Sequence, residues 1–236
     1  VQTCALPIWP KSELPEESGG WCDYMVELEF FKSMPEGIRK DAWFLTKVTM
    51  TGQERNPETG RYPLLNWDDP ATNQKHPYWK KNIESSDWVF NYDDGYYETK
   101  GISSASGKTR MIFRYADILL LYAEAVAYGT KSINDLAFDC MWRVQERAGV
   151  PLISKDVTKE YFQKAVLDER RWETAGMEHS CMGRFFTMQR HEILHLQKNY
   201  RDAAELSLNP NLTLSEEFYY FPIPDNELLI VPGLKD

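Results

Sequence analysis

The sequence predicts a mostly α-helical protein with long ordered loops, on the basis of three observations. The run over 113–128 is apolar, rich in strong helix formers and free of glycine and proline. Three further stretches, 133–148, 156–176 and 185–200, keep helical spacing and are separated by short turns or loops. Over 51–110, by contrast, glycine and proline interrupt every periodic pattern. We therefore expect paired helices, as in one side of an α-solenoid, preceded by a long excursion.

Composition indicates a globular protein and argues against some classes of partner. The chain has 236 residues, 42% of them hydrophobic, so a sizeable core can be buried. A formal net charge of -9 argues against binding to nucleic acid or to an anionic membrane surface. The cysteines have no CxxC spacing and predict neither a metal site nor a disulfide framework. Cys140 lies among apolar helix positions, where we expect a small core residue.

The beginning of the chain differs in character from the rest. Residues 1–9 follow no pattern, and we expect a non-native or disordered leader before a domain over 10–236. No basic stretch followed by an apolar one opens the chain, so we expect the natural start of the protein to precede Val1. Trp21–Phe31 is compatible with a short helix or strand, and Phe44–Met50 is a strand candidate.

The run Phe113–Tyr128 is predicted to be the central helix. Gly129 follows it at a typical helix C-terminus. Arg114, Asp117 and Glu124 fall on one helix face, which places a charged stripe on an otherwise apolar segment. The helix is too short and too charged to cross a bilayer.

Capping signals delimit the next two helices. Ser132 is a plausible N-cap for the second helix, which Gly149 ends. The third begins near Asp156 or Thr158 and ends near Gly176.

A fourth helix and a tail complete the prediction. The fourth helix covers roughly 185–200 and closes a helical core over 113–200. Residues 201–236 are expected to form an extended tail, because Pro222 and Pro224 disfavour a helix around them.

The excursion over 51–110 is unusually rich in aromatic residues, which argues against disorder. Rings on ordered loops can stack against sugar faces, and they can equally fix a loop onto the helices; both interpretations stay open. The candidate ligand contacts are Trp67, Tyr78, Trp79, Trp88, Tyr92, Tyr96 and Tyr97.

Charged residues recur on the predicted helices. They could form a catalytic patch, but ion pairing between neighbouring helices is the more common role and fixes their register. We predict a structural ion-pair network of Arg114, Asp117, Glu124, Arg143, Arg147, Glu169, Arg170 and Arg171.

The segment His191-Glu192-Ile193-Leu194-His195 matches the HExxH pattern of zinc hydrolases. On a helix this pattern places two imidazoles on one face, with the glutamate as general base. Lys198 and Arg201 stand where an extended form of the motif would place its further residues. We therefore favour two partly exposed histidines near a helix end and keep the zinc hydrolase as the alternative. No cofactor is expected.

Several segments together resemble the SusD/RagB family. They occur in that family's order and spacing and place the resemblance over roughly 34–236, as the C-terminal half of such a protein. The segments are Met34–Phe44 (MPEGIRKDAWF), Arg114–Ala125 (RYADILLLYAEA), Arg143–Gly149 (RVQERAG), Glu169–Glu173 (ERRWE) and Phe221–Glu227 (FPIPDNE).

This resemblance implies a fold and a function. The fold would be mostly helical, with tetratricopeptide-like repeats mainly in an N-terminal half that lies outside this chain, as does the lipid-anchor cysteine. The protein would be a surface-exposed lipoprotein of a Bacteroidota-type outer membrane, without enzymatic activity. It would bind oligosaccharide or polysaccharide, or peptides as some members do, and deliver them to a SusC-like TonB-dependent transporter.

Overall fold

The structure of the chain is a computed structural model. It describes residues 26–49, 54–61, 63–71, 76–80, 88–90, 97–99, 113–176, 185–196, 201–208, 223–231 and 233.

Helices dominate these residues, which confirms the predicted fold class. The central helix is confirmed, although it begins two residues after Phe113. The helices are α1 (Leu28–Ser33), α2 (Ile38–Trp43), α3 (Tyr115–Tyr128), α4 (Asp135–Ala148), α5 (Lys159–Thr174), α6 (185–190), α7 (Ala203–Leu208) and α8 (Asp225–Ile230).

Short strands pair in three antiparallel ladders. The predicted strand over Phe44–Met50 is present as two strands with a break at Thr46. Each pairs with a strand from the excursion, so two short segments of the excursion, Leu64–Asn66 and Tyr78–Trp79, are held against the strands that follow α2. The ladders are β1 (Phe44–Leu45) with β4 (Tyr78–Trp79), β2 (Lys47–Thr49) with β3 (Leu64–Asn66), and β5 (Trp88–Phe90) with β6 (Tyr97–Thr99).

The main core lies where α3 packs against α4 and α5. Alanines on α3, among them Ala123 and Ala127, are fully buried and let the neighbouring helices approach closely. Phe162 of α5 is also fully buried, and its ring lies 4.8 Å from that of Phe138 on α4. Burying a side chain of this size stabilises the fold by roughly 1.5–3 kcal/mol. Cys140 is buried in the same core, as predicted.

Side-chain caps determine where α4 and α5 begin. The Asn134 Oδ1 atom accepts a hydrogen bond from the Ala137 amide at 2.9 Å, so Asn134 and not Ser132 is the N-cap of α4. Asn and Ser serve equally well as caps, and here the residue closer to the helix takes the role. Thr158 caps α5 through the Tyr161 amide at 3.2 Å, as predicted.

A second, aromatic cluster lies beside this core. Phe30 of α1 and Met34, which follows α1, pack there against the rings of Phe44 and Trp79, together with Val26. The Phe44 and Trp79 ring centroids are 5.1 Å apart, so the pairing of β1 with β4 brings an excursion residue into the core.

Two predictions for the later part of the chain require correction. The fourth helix ends at residue 190 and not near 200, because Glu192 adopts a left-handed conformation (φ 56). Residues 201–236 contain α7 and α8 where we expected only extended chain. Pro224 stands just before α8 without disrupting it, and Asp225 and Glu227 in the first turn favour helix initiation through the helix dipole.

The predicted leader, residues 1–9, lies outside the described residues, and the domain boundaries stay predictions. Within the described part of the chain, no helix combines the length and hydropathy required to cross a membrane.

Candidate functional site

The two excursion tryptophans with described side chains differ in their surroundings. Trp79 is only 8% exposed and packs within the aromatic cluster. Its ring also contacts Gly176, where an added Cβ would lie 2.5 Å from Trp79 Cε3. Trp67 is half-buried and lies edge-on to Phe31, with ring centroids 5.8 Å apart. Burial makes Trp79 a packing residue, whereas Trp67 keeps part of its ring at the surface.

The other candidate aromatic residues are placed only by their backbone, or lie outside the described residues. Tyr78 belongs to β4, opposite Leu45. Trp88 and Tyr97 belong to β5 and β6, which pair as a hairpin ladder. Tyr92 and Tyr96 lie outside the described residues. Ligand contact at all these positions stays a prediction.

A buried carboxylate at the end of α5 receives three arginines. Glu173 is 1% exposed, and its Oε1 atom lies 2.8 Å from Arg114 Nη1. Arg147 of α4 also bonds Oε1, and Arg39 Nη1 of α2 lies 3.2 Å from Oε2. The carboxylate of Glu173 thus joins α2, the start of α3 and α4 to α5. With the two further carboxylates that bond these arginines, the Glu173 cluster comprises Arg39, Arg114, Asp117, Arg147, Glu169 and Glu173.

The Glu173 cluster balances its charges, with three guanidinium groups and three carboxylates. Asp117 lies 2.9 Å from Arg114 Nη2 and also accepts the Arg114 amide at 2.8 Å, so it caps α3 as well. Glu169 bonds Arg39. Burial raises the pKa of Glu169 above its ordinary value, because removal from water disfavours the charged form more than Arg39 compensates.

A second group of charges lies about two turns further along α3. Glu124 is buried and bonds Arg170 of α5 and Arg190 of α6. His191 Nε2 lies 2.7 Å from Glu124 Oε1, and the His191 ring packs against Tyr128 with centroids 4.0 Å apart. We call Glu124, Arg170, Arg190 and His191 the Glu124 cluster.

A pocket of ≈ 520 Å³ adjoins the Glu124 cluster. Its floor is the C-terminal half of α3, and residues 190–191 form one side, so an apolar surface meets a charged rim. Partial burial raises the pKa of the Tyr128 hydroxyl, which stays neutral near pH 7. The lining residues are Leu121, Glu124, Ala125, Tyr128, Gly129, Arg190 and His191.

Only part of the ion-pair network predicted from the sequence belongs to these two clusters. Arg143 lies outside both: its Nη1 atom donates to the Tyr115 hydroxyl at 2.9 Å. Arg171 lies 3.3 Å from Asp168 on its own helix and 3.3 Å from the Ser33 hydroxyl. The other six predicted residues belong to the clusters: Arg114, Asp117, Arg147 and Glu169 to one, Glu124 and Arg170 to the other.

The predicted network lacked four cluster members, Arg39, Glu173, Arg190 and His191, the last of which was considered only as a possible zinc ligand. Glu173 closes the charged run that begins at Glu169, and its spacing of i+4 from Glu169 places both on one face of α5. Arg39 and Arg190 belong to short helices, and only the tertiary fold brings them to α5 and α3.

The HExxH interpretation is wrong in its local structure. His191 follows the last residue of α6, and His195 lies in a separate 3₁₀ turn over 194–196. The two imidazoles therefore do not share one helix face, as zinc binding by this motif requires. His191 instead bonds Glu124. The described residues contain no group of three or more metal-ligating side chains.

One curated relative resembles part of this sequence. It is the SusD-like protein P25 of Formosa agariphila, 30% identical over 130 residues. That match includes 54% of this chain but only 23% of the relative.

Solved structures with a similar fold extend the comparison. A SusD superfamily protein of Parabacteroides distasonis has a TM-score of 0.63 at 17% identity, and covers 97% of this chain with 45% of its own. A second, from Bacteroides vulgatus, has a TM-score of 0.57 at 20% identity, and the match covers 92% of this chain and 45% of that structure. The surface glycan-binding protein A of Bacteroides uniformis has a TM-score of 0.54 at 17% identity, and the match covers 98% of this chain and 46% of that structure. The chain thus spans under half the length of these structures.

The family itself is shown by the sequence. A sequence profile of the SusD family matches residues 3–236, nearly the whole chain. The fold similarity agrees with this match, and the α3 and α4 motifs that prompted the resemblance contribute residues to the main core. The chain therefore belongs to the SusD family.

Proposed function

We propose that this protein is the glycan-binding component of an outer-membrane uptake complex and captures its substrate at the cell surface. The observation that carries the proposal is membership of the SusD family across residues 3–236. A surface glycan-binding protein among the structures of similar fold supports the same class of ligand.

The excursion offers side chains suited to sugars. An aromatic ring presents a flat apolar face on which the C–H groups of a pyranose can pack, while polar neighbours bind the hydroxyls. Trp67 meets this requirement in part, because it is held edge-on by Phe31 and is only half-buried. Trp88 begins β5 of the hairpin ladder and is the second candidate. We assign Trp79 to packing, since its ring lies within the aromatic cluster.

Capture would be followed by delivery to a SusC-like TonB-dependent transporter in the same membrane. The family resemblance supports this partner and a location at the cell surface. The Glu173 and Glu124 clusters have a structural role in this proposal, and we assign no catalytic step to the protein.

Binding to a panel of polysaccharides tests the function. Affinity electrophoresis of the purified protein in gels containing different glycans is expected to retard it in at least one of them. Replacement of Trp67 or Trp88 by Ala removes one stacking surface, worth on the order of 1.5 kcal/mol, and should weaken binding about tenfold. Calorimetric titration with oligosaccharides of the retained glycan measures the loss.

Tyr161→Ala is the matched control, because Tyr161 is an exposed aromatic residue on α5, outside the excursion. It should leave the affinity unchanged. Unaltered binding by both tryptophan variants would contradict the site while leaving the function intact. A folded protein retained by no glycan would contradict the function, and retention of an oligopeptide mixture would then identify peptides as the substrate class.

A further inference from the structure

Both the backbone and the ring of Trp67 are held in place. Its backbone amide donates to the Thr46 carbonyl at 2.8 Å, which continues the ladder of β2 with β3 by one step. Its ring lies nearly perpendicular to that of Phe31, with an interplanar angle of 79° and centroids 5.8 Å apart. The ladder thus fixes the backbone of Trp67, and Phe31 of α1 contacts its indole ring.

Phe31 is itself fixed by its neighbours. Its ring meets the Phe44 ring edge-on, at 88° and 5.1 Å between centroids. The Lys40 ammonium lies over the Phe31 ring, 4.5 Å from the centroid, where a cation is attracted to an aromatic face. That ammonium also donates to the Met34 carbonyl at 3.1 Å and pairs with Glu36. Since Lys40 is bound on several sides, it holds the Phe31 ring in a defined orientation.

Phe31 connects the aromatic cluster to the part of Trp67 that stays at the surface. Phe44 is buried within the cluster, and Phe31 is half-buried and packs against it. Ordering a mobile side chain when a ligand binds costs free energy, so a ring that is already fixed binds more tightly. Binding residues keep their geometry when packing residues behind them lock their rotamers. Phe31 stands in that position relative to Trp67.

We propose that Phe31 is a positioning residue for glycan binding: it holds the Trp67 indole in the orientation on which a sugar stacks, without touching the sugar itself. The inference rests on the proposed function, in which Trp67 supplies a stacking surface. It adds to the site a residue of α1, outside the aromatic-rich excursion. Phe44 and Lys40 support this residue from behind.

Fluorine NMR of the ligand-free protein measures the orientation of the Trp67 ring. The chain has 8 tryptophans, and after labelling with 5-fluorotryptophan the resonance that Trp67→Phe removes belongs to Trp67. Phe31→Leu keeps an apolar side chain but removes the ring. The Trp67 resonance should therefore move towards the position of free 5-fluorotryptophan. Phe31→Tyr keeps the ring and should leave the resonance close to its original position.

Calorimetric titration measures the affinity of the same variants for the glycan that retards the protein in affinity gels. Phe31→Leu should weaken binding about two- to tenfold, the cost of ordering one side chain on binding. Phe31→Tyr should restore the affinity. In a protein that already carries Trp67→Ala, Phe31→Leu should cause no further loss, because Phe31 acts only through that ring. Phe31→Met is a second non-aromatic variant should leucine not fit, and far-ultraviolet circular dichroism checks the folding of each.

Phe186→Leu is the matched control. Phe186 is 45% exposed on α6, and its ring meets that of Phe185 edge-on with centroids 5.7 Å apart. The change removes a similar aromatic contact elsewhere, and it should alter neither the Trp67 resonance nor the affinity.

Three results would overturn the positioning role of Phe31 while leaving the proposed function intact. These are an unmoved Trp67 resonance in Phe31→Leu, an affinity of that variant equal to that of the unaltered protein, and an undiminished loss in the Trp67→Ala background. A folded protein that no glycan retains would instead overturn the function, and this role with it, whatever the fluorine spectrum shows.

Discussion

At the scale of single residues, Glu173 connects more of the chain than any sequence motif indicates. Its carboxylate bonds Arg39 of α2, Arg114 at the start of α3 and Arg147 of α4. A buried ion pair often contributes little net stability, because the loss of hydration offsets the attraction. What such a side chain does determine is position: each arginine must reach the same two oxygens, which restricts how α2, α3 and α4 can sit against α5.

Replacing Glu173 by Gln should destabilise the protein substantially. The amide keeps the shape but loses the charge, so the Glu173 cluster keeps three guanidinium groups but only two carboxylates, Asp117 and Glu169, to compensate them. Breaking a buried pair from one side typically costs about 3–5 kcal/mol. Urea denaturation followed by far-ultraviolet circular dichroism measures the free energy of unfolding.

The exposed α4 residue Glu146 provides the comparison for this change. The same substitution there, Glu146→Gln, should alter the free energy of unfolding by less than about 0.5 kcal/mol. Similar losses for the two variants would show that the Glu173 cluster has no special role in stability.

At the scale of elements, the start of α2 lies directly against the end of α4. A Cβ atom added at Gly37 would lie 2.7 Å from the Gly149 carbonyl oxygen and 2.8 Å from that of Ala148. Both obstructing atoms are backbone, so neither can rotate away. Gly149 itself adopts a left-handed conformation (φ 69) that ends α4. These two glycines allow two helix ends to meet at backbone distance.

Gly37→Ala should therefore force α2 away from α4 and destabilise the fold by about 2 kcal/mol, within the usual range for overpacking. Gly233→Ala is the control, because no atom of the described residues lies within 4 Å of the Cβ position there and the change should be nearly neutral. Thermal denaturation of both variants tests this, and a loss at Gly233 equal to that at Gly37 would contradict the steric explanation.

The elements that the sequence predicted well are those specified by local signals. Helices α3, α4 and α5 have apolar periodicity, and α4 and α5 also begin at capping residues. The end of α6 was missed because nothing local opposes a helix through Glu192; instead Arg190 and His191 are bound by Glu124, far away in the sequence. A tertiary contact overrode a weak propensity.

The candidate site was predictable only in part, for the same reason. Trp67 and Trp79 both lie in the aromatic-rich excursion with charged residues directly after them, and nothing near either one indicates which ring is buried. The difference arises from the pairing of β1 with β4, whose partners Leu45 and Tyr78 are far apart in the chain. That pairing draws the Trp79 ring against Phe44, whereas Trp67 stays at the edge of Phe31.

At the scale of the whole molecule, α5 joins the main core to the aromatic cluster. Its first half contributes Phe162 and Val166 to the core with α3 and α4. Near its end, Trp172 packs against the aromatic cluster, and Ala175, which follows the helix, does the same. Glu169, between these positions, bonds Arg39 of α2. One continuous helix thus takes part in the main core and in the aromatic cluster. A loss of packing in one of them should therefore destabilise the other.

Trp79→Ala tests whether the main core and the aromatic cluster unfold together. Loss of a buried tryptophan leaves a cavity and typically costs about 3–5 kcal/mol. Because α5 joins the main core to the aromatic cluster, far- and near-ultraviolet circular dichroism should show one coincident transition, at a lower temperature than in the unaltered protein. Trp67→Ala, at a half-buried ring, should cost less than half as much. If Trp79→Ala removed the near-ultraviolet signal while the helical transition kept its midpoint, the clusters would be independent units and α5 would not couple them.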